Sequence, residues 1–407
     1  MKKEWKTKDW FVSHYNFLDE VLKGLNLPKR VQIHDITLRD GEQQAGVIFR
    51  KEEKIKIAEM LNEAGVDRIE AGMPAVFPQD MEAVKAIARQ GFSSKIFAFA
   101  RCLKRDVDLA LKCDVDGLEM EIPSSDHLLS YAYGWSEDEA VKRAVEATNY
   151  AKEHGLYVTF FTIDSTRAPF DVCWKLINAV ATEGHMDALT VVDTFGVCSP
   201  HAMFYFVKKI KERVDKPLEI HCHNDFGLAV ANTINAVAAG VEIVHTTVNG
   251  IGERAGGASL EEVTTALRLL YGVEMNIKFE KLRQLSKLVQ EYSGVKMPPN
   301  KAIVGDNIFS IESGIIASWF ERVEEFGVPL EIFPFLPSFV GYESPNIVLG
   351  KKSGRSNITY KAKKLGVTVP SDKIDDILMR VKEKSYEKKA LLADDEFISM
   401  IKTFKQS

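Results

Sequence analysis

The sequence predicts an α/β protein built on a (β/α)8 TIM barrel, followed by small, mainly helical subdomains. Short β-rich runs alternate regularly with amphipathic helical patterns over the first two thirds of the chain. Eight such units match this barrel better than a doubly wound sheet, which usually has about five to seven strands. Several runs are apolar almost throughout, as expected when helices cover a parallel sheet. Polar residues collect at the ends of the runs, where these barrels carry their active sites.

The predicted elements follow one another in a regular order. The strands are expected at residues 31–37, 67–72, 95–100, 117–122, 157–163, 188–193, 218–223 and 243–249. The helices are expected at 51–64, 79–90, 104–112, 137–154, 171–184, 200–214, 226–239 and 259–271. The predicted domains are an N-terminal extension (1–30), the catalytic barrel (31–275), helical subdomain I (276–345) and subdomain II (346–407).

Composition indicates a soluble globular protein of the cytoplasm. The 407 residues are 45% hydrophobic and 27% charged, and a net charge of −5 without a basic stripe gives no reason to expect nucleic acid. The five cysteines lack CxxC spacing, which favours reduced thiols over a disulfide framework. The chain shows neither an apolar leader nor a run long enough to span a bilayer, so we expect neither export nor a membrane partner.

The strongest chemical signal is His221-Cys222-His223, at the end of the seventh predicted strand. Residues i and i+2 of a strand project to the same face, so both imidazoles can bind one ion. Asp40, after the first strand, completes a set of two histidines and one carboxylate that leaves positions open for substrate. A divalent ion there could hold a 2-oxo acid and polarise its carbonyl group. Such a set accepts Mg²⁺, Mn²⁺, Fe²⁺ or Zn²⁺.

Further polar residues at the strand ends are candidates for catalysis and substrate binding. Arg39, next to Asp40, would stabilise an oxyanion that develops on the substrate. Glu70, at the end of the second strand, is placed to orient Arg39, and Thr194 offers a hydroxyl group to the substrate carboxylate. The other predicted substrate-binding residues are Arg101, Asp164 and Arg167.

A glycine-rich loop, residues 249–257, follows the eighth strand. Backbone N–H groups in such a loop can bind phosphate at the final strands of a barrel, although a tight turn explains the same pattern about as well. The candidates for cofactor binding are Asn249, Gly250, Gly252, Glu253 and Arg254.

Four motifs together resemble the DRE-TIM metallolyase superfamily. They are Leu38-Arg39-Asp40-Gly41-Glu42-Gln43, Ile69-Glu70-Ala71-Gly72, His221-Cys222-His223-Asn224-Asp225 and Asn249-Gly250-Ile251-Gly252-Glu253-Arg254. The chain is most similar to the isopropylmalate, homocitrate and citramalate synthases, acyltransferases of amino-acid biosynthesis that condense acetyl-CoA with a 2-oxo acid. The likeness extends to residues 349–355 in subdomain II.

This resemblance implies roles for single residues and for the assembly. The implied metal ligands are Asp40, His221 and His223. Arg39 would be the catalytic arginine and Glu70 would complete the Asp-Arg-Glu triad. Thr194 would bind the oxo-acid carboxylate, and the loop at 249–257 would lie near CoA. The resemblance also implies a homodimer, and the regulatory domain of many isopropylmalate synthases is not expected.

The sequence departs from the family pattern where the second substrate is activated. Ile316 stands where the synthases usually carry a histidine that helps to activate acetyl-CoA, and Ile163 replaces a glutamate. Gly257 replaces a common asparagine, and a family histidine occurs one place early, as His127. Without the histidine, removal of the weakly acidic thioester α-proton lacks its usual base.

Two alternatives to a synthase therefore stay open. One is a carbon–carbon lyase like the hydroxymethylglutaryl-CoA lyases, although their loop cysteine is missing from residues 249–257. The other is a paralogue that binds metal and ligand without turnover. The sequence does not identify the oxo acid, because one methylene changes preference by only about 1 to 3 kcal/mol.

Overall fold

The computed structural model describes residues 4–406. The chain forms two compact units, of which the first contains residues 14–297 and the second contains residues 5–13 and the chain from 298 onwards. The finer division at residues 30, 275 and 345 stays a prediction.

The first unit is built around eight parallel strands that close into a barrel in sequence order, with β1 paired to both β2 and β8. The strands are β1 (Gln32–Asp35), β2 (Arg68–Glu70), β3 (Lys95–Arg101), β4 (Gly117–Pro123), β5 (Tyr157–Ile163), β6 (Ala188–Asp193), β7 (Leu218–Cys222) and β8 (Ile243–Thr246). All residues of β6, β7 and β8 are buried, because helices cover the outer face of the barrel and side chains fill its interior. The predicted (β/α)8 barrel is confirmed.

The helices of the first unit surround this barrel. They are α1 (Asp19–Leu22), α2 (Lys51–Glu63), α3 (Pro78–Ala88), α4 (Lys104–Leu111), α5 (Asp126–Leu128), α6 (Glu137–Glu153), α7 (Phe170–Thr182), α8 (Pro200–Lys211), α9 (Ala229–Ala238), α10 (Leu260–Tyr271) and α11 (Leu282–Ser293). One turn of π-helix, Leu129–Tyr133, follows α5. Within residues 4–406, no helix combines the length and the apolar character needed to cross a bilayer.

Local sequence signals explain several helix ends. The helix α6 begins after Ser136, whose hydroxyl accepts a hydrogen bond from the N–H of Glu139 at 3.2 Å. The helix α8 begins with Pro200, whose fixed φ suits the first helical position. The helix α10 ends where Gly272 adopts a left-handed conformation with φ of 67°.

The strands β1, β2, β7 and β8 end one to three residues earlier than the sequence predicts, and the ends of β1 and β8 shape the site. The strand β1 stops at Asp35 because the N–H groups of Arg39, Asp40 and Gly41 all point to the carbonyl oxygen of Ile36, closing a tight turn. The strand β8 stops at Thr246 because the next residue pairs with Ser259. The polar residues that follow each strand are therefore carried by turns.

The second unit contains α12 (Gly314–Glu325), α13 (Arg355–Lys364), α14 (Ile374–Lys388), α15 (Asp394–Gln406) and a parallel pair of strands, β9 (Ser310–Ile311) and β10 (Asn346–Ile347). Residues 349–355 form the turn before α13, where the N–H of Gly354 donates to Oδ1 of Asn357 at 2.8 Å. Gly314 approaches Gly354 so closely that a Cβ on either would clash.

Candidate active site

Three side chains suited to metal binding meet at the carboxyl ends of β1 and β7. One ligand atom from each of Asp40, His221 and His223 lies within 4.8 Å of the others, and all three residues are buried. The Nε2 atoms of the two histidines are 3.1 Å apart. Nε2 of His223 lies 3.9 Å from Oδ1 of Asp40. The structure thus brings together the three residues that the sequence singles out as metal ligands.

The donor atoms of this cluster fit a divalent ion. Oδ2 of Asp40 and Nδ1 of His221 are buried without a hydrogen bond from any residue in the range 4–406. The pKa of His221 lies well below its usual range, because burial and the neighbouring His223 disfavour the imidazolium form. Nδ1 of His223 is 3.3 Å from the carbonyl oxygen of Gly256, a contact that orients the ring. Neutral imidazoles beside a carboxylate are a suitable donor set.

Arg39 is held between two carboxylates. Its Nε donates to Oε2 of Glu70 at 2.7 Å, and its Nη1 donates to Asp40 at 3.1 Å and to Gln43 at 3.2 Å. Its guanidinium carbon lies 4.0 Å from the centre of the Phe99 ring. Burial opposes the charged form, but Glu70 and Asp40 outweigh it and raise the pKa of Arg39. Nη2 is buried without a partner among residues 4–406, so its N–H groups are free for a substrate oxygen.

Several polar side chains contact Asp164, which follows β5. Arg167 donates from Nε and Nη2 to the two carboxylate oxygens at 2.7 and 3.0 Å. Ser125 donates to Oδ2 at 2.7 Å, and Nε2 of His127 lies 2.9 Å from the same oxygen. The backbone N–H of Asp164 donates to Oγ1 of Thr194 at 2.8 Å. Three of the predicted substrate-binding residues therefore lie together, with His127 beside them.

Arg101 lies apart from this group. Its Nε and Nη2 donate to the carboxylate of Asp106 at 2.8 and 3.0 Å. It lines a cavity of about 240 Å³ together with Glu121, Tyr133 and Trp135.

Glu121 is a further candidate for a functional residue. Sequence patterns did not distinguish it from the other polar residues at the strand ends. It lies on β4, and its carboxylate forms no hydrogen bond or ion pair with any residue in the described part of the chain. Burial, opposed by the charges of Arg39 and Arg101, raises the pKa of Glu121 to about 7. The one sequence signal is its spacing of two from Glu119, which directs both side chains to the barrel interior.

An apolar wall lies beside the metal ligands and Arg39. It consists of Met73, Phe99, Phe161, Ile163 and Val192. The ring of Phe161 packs edge-on against His221 with centroids 5.3 Å apart, and Phe99 lies under Arg39. Ile163 is half-buried against this wall, so hydrocarbon occupies the place where the resembling synthases carry a glutamate.

The glycine-rich loop needs its glycines for conformation and for space. Gly250, Gly252 and Gly256 all have positive φ, of 73°, 154° and 86°. A Cβ on Gly252 would lie 2.8 Å from Oδ2 of Asp40. The loop backbone therefore passes directly beside a predicted metal ligand.

Arg254 connects this loop to the ends of β6 and β7. It donates from Nε and Nη2 to the carboxylate of Asp225 at 2.8 and 3.1 Å, and from Nη2 to the carbonyl oxygen of Thr194 at 2.6 Å. These hydrogen bonds lower the pKa of Asp225. Glu253 lies 3.2 Å from Arg254 and is exposed.

Asn249 faces α11. Its Nδ2 donates to the carbonyl oxygen of Ser286 at 3.0 Å, and the Ser286 hydroxyl donates to its Oδ1 at 2.5 Å. Its backbone N–H donates to the carboxylate of Glu261 at 3.0 Å. The side chain is buried and its amide is occupied by these contacts.

Ile316 belongs to the second unit. It packs half-buried against a core of Ile311, Ala317, Phe320 and Ile347. The side chain at this position therefore contributes packing and carries no group that can accept a proton.

The sequence is similar to those of a known family and of several named synthases. The HMGL-like family model matches residues 30–289. Homocitrate synthase AksA of Methanopyrus kandleri is 44% identical, over 90% of each chain. A probable 2-isopropylmalate synthase of Ignicoccus hospitalis is 46% identical over 88% of each chain. The (R)-citramalate synthase CimA of Methanocaldococcus jannaschii is 44% identical over 87% of this chain and 70% of that protein.

Solved structures support the fold. The hydroxymethylglutaryl-CoA lyase of Bacillus subtilis has a TM-score of 0.61 and 22% identity, over 67% of this chain and 96% of that chain. At this identity the likeness concerns the fold, and the lyase is a distant neighbour compared with the synthases. The resemblance to a synthase family that the motifs predict is confirmed. The chain belongs to the HMGL-like family, among relatives that are condensing synthases.

Proposed function

We propose that this protein is a divalent-metal-dependent acyltransferase that condenses acetyl-CoA with a 2-oxo acid. The observation that carries the proposal is the cluster of Asp40, His221 and His223 beside Arg39. A divalent ion held by these three residues would supply Lewis-acid polarisation of the oxo-acid carbonyl. Relatives that are named homocitrate and isopropylmalate synthases, at 44 and 46% identity, support this reaction type.

Arg39 would stabilise the negative charge that develops on the keto oxygen. Its Nη2 has no partner among residues 4–406, while Glu70 and Asp40 fix the rest of the guanidinium. Donors that are already oriented stabilise a developing oxyanion more than they stabilise the ground state. Thr194 and Arg167, at the neighbouring strand ends, would bind the substrate carboxylate.

The oxo acid would carry an apolar side chain. The wall beside His221 and Arg39 is hydrocarbon, and Ile163 provides it with a branched aliphatic group. A buried carboxylate without a partner would be costly there, so an oxo acid with a second carboxylate is disfavoured.

Glu121 would be the general base that removes a proton from the methyl group of acetyl-CoA. Its carboxylate is unpaired within residues 4–406, and a pKa of about 7 suits proton transfer near neutral pH. In the variant Glu121→Gln we expect kcat to fall about 100-fold or more, with the KM of the oxo acid little changed. The decrease of kcat at acidic pH should also disappear in this variant. If that decrease persists, another group is the general base.

The loop at 249–257 would lie near CoA. The N–H of Gly250 donates to the carbonyl oxygen of Thr247 and that of Gly252 donates to Oε1 of Gln44, so the exposed side chains of Glu253 and Arg254 would face CoA. The buried amide of Asn249 would act indirectly, by fixing the loop to α11.

We further propose a cytoplasmic homodimer. All five cysteines are free thiols, which agrees with a reducing compartment. The helix α12 exposes 66% of Ile315 and 53% of Trp319, an apolar face suited to a second protomer. Size-exclusion chromatography with light scattering should give a dimer for the wild type and a monomer for Trp319→Lys.

A thiol-release assay tests the proposed reaction. Purified protein with Mg²⁺ or Mn²⁺ and acetyl-CoA is offered pyruvate, 2-oxoisovalerate, 2-oxoglutarate, oxaloacetate or glyoxylate. We expect CoA release with the apolar acids pyruvate or 2-oxoisovalerate, and none from Asp40→Asn. Release of acetyl-CoA from 3-hydroxy-3-methylglutaryl-CoA instead would identify a lyase. Ligand binding without either reaction would identify a paralogue without turnover.

A further inference from the structure

A second cluster of metal-binding side chains lies inside the barrel, apart from the Asp40 site. Its members are His34 on β1, Glu119 on β4, Glu219 on β7 and His245 on β8. All four are at most 1% exposed. Glu219 precedes His221 by two residues and projects to the same face of β7, one layer deeper in the barrel. Such interior layers are usually filled by branched aliphatic side chains, so four ionisable residues there need an explanation.

The four ligand atoms lie within 4.8 Å of one another, and four of their separations are between 2.8 and 3.7 Å. Nδ1 of His34 is 3.4 Å from Oε1 of Glu119 and 3.7 Å from Oε2 of Glu219. Nε2 of His245 is 3.7 Å from the same Glu119 oxygen and 2.8 Å from the same Glu219 oxygen. A tetrahedral zinc ion with bonds of about 2.1 Å separates its ligands by about 3.4 Å. Each residue therefore directs one atom at a common centre.

The hydrogen bonds of this cluster are incomplete: Nε2 of His245 and Oε2 of Glu219 share one at 2.8 Å, but several other atoms have none. Both ring nitrogens of His34, Oε1 of Glu119 and Nδ1 of His245 are buried without a hydrogen-bond partner among residues 4–406. Leaving a buried polar atom unpaired costs about 1 to 3 kcal/mol. An ion at the centre would engage two of the unpaired atoms, Nδ1 of His34 and Oε1 of Glu119.

The outer carboxylate oxygens are anchored, which leaves the inner ones to point at the centre. Oε1 of Glu219 accepts from Nη1 of Arg68 at 2.8 Å and from Thr159 at 3.2 Å. Oε2 of Glu119 accepts from Thr190 at 3.2 Å. Partners of this kind orient the ligands of metal sites.

Two carboxylates, two imidazoles and the guanidinium of Arg68 share this buried layer of the barrel. Neutral imidazoles are the form that binds metals.

We propose that His34, Glu119, Glu219 and His245 bind a divalent transition-metal ion of the zinc class in tetrahedral coordination. With four protein ligands, the site is closed and structural, whereas the Asp40 site has three ligands and stays open to substrate. The ion would tie β1, β4, β7 and β8 together across the barrel.

The zinc content of the full-length protein tests this inference. The variant Asp40→Asn/His223→Ala removes the first site, and Glu119→Gln in that background removes one ligand of the second at nearly constant volume. After equilibration with Zn²⁺ and removal of loose metal, mass spectrometry should find one zinc ion per chain in the first variant and none in the second. A first variant without zinc, or equal zinc in both variants, would overturn the inference.

A crystallographic measurement keeps the test decisive if the triple variant does not fold. Crystals of Asp40→Asn/His223→Ala grown with Zn²⁺ should give an anomalous peak at the zinc edge among the four side chains. The absence of a peak there would overturn the inference. Neither readout depends on turnover, so the second site is judged independently of the proposed reaction.

Discussion

The substitution Gly252→Ala probes whether the glycine-rich loop holds Asp40 in a metal-binding position. The new Cβ would lie 2.8 Å from Oδ2 of Asp40, against 3.4 Å for an ordinary contact. One of the two groups must therefore move by about 0.6 Å. Metal–ligand bonds tolerate displacements of only about 0.2 Å. We expect the affinity for Mn²⁺ to fall about 10- to 100-fold, the loss typical when the support of a ligand is removed.

Backbone strain must be separated from this clash. Gly252 has φ of 154°, which alanine adopts at a cost of about 1 to 3 kcal/mol. Gly24 also has positive φ, of 89°, but a Cβ there meets nothing within 4 Å. Gly24→Ala is therefore a matched control that should lower stability and leave Mn²⁺ affinity unchanged.

Isothermal titration of the metal-free protein with Mn²⁺ gives the affinity, and urea unfolding gives the stability. The reasoning would be refuted if folded Gly252→Ala bound Mn²⁺ as tightly as the wild type. An equal loss of affinity in Gly24→Ala would also refute it, because the effect would then come from strain alone.

Three further predictions follow from the contacts described above. Arg39→Lys should lower kcat about 100- to 1,000-fold in steady-state assays, because an ammonium cannot hold Glu70 and reach the substrate oxygen together; near-wild-type turnover would exclude the oxyanion role. Burial raises the pKa of Asp35 from 3.8 to about 7. Between these pH values the folded protein keeps a proton that the unfolded chain has released, so the free energy of unfolding falls as the pH rises. Between pH 5 and pH 8 this fall amounts to about 2 to 3 kcal/mol, and Asp35→Asn should abolish it in urea unfolding; an unchanged pH dependence would contradict this assignment. Asn249→Ala and Ser286→Ala should each lower the free energy of unfolding by about 1 to 3 kcal/mol, and the double variant should lose less than their sum, since both remove one hydrogen-bonded pair; full additivity would contradict the coupling.

Much of the barrel is encoded locally and was therefore predictable. Apolar runs such as Ala188–Asp193 are typical of strands buried on both faces, and the helices between them have their own caps, such as Ser136. The i, i+2 spacing of His221 and His223 likewise fixes their common face. The ends of β1 and β8 were less predictable, because they depend on turns whose hydrogen bonds compete with strand pairing.

The features that the sequence did not reveal arise from residues distant in the chain. Glu121 differs from other strand-end carboxylates in lacking a partner, and that is decided by the side chains that surround it. His34, Glu119 and His245 belong to three separate strands, so no spacing motif connects them. Only barrel closure brings them to a common centre.

Barrel closure also determines when the site of Asp40, His221 and His223 can form during folding. Asp40 follows β1, the histidines belong to β7 and its end, and β8 pairs with both of these strands. The ligands therefore come from the two ends of the barrel sequence. They lie close together only when β8 pairs with both β7 and β1 and closes the barrel. A chain emerging during synthesis cannot complete this site until β8 has joined the ring. Metal would thus bind late in folding and stabilise the closed barrel over its precursors.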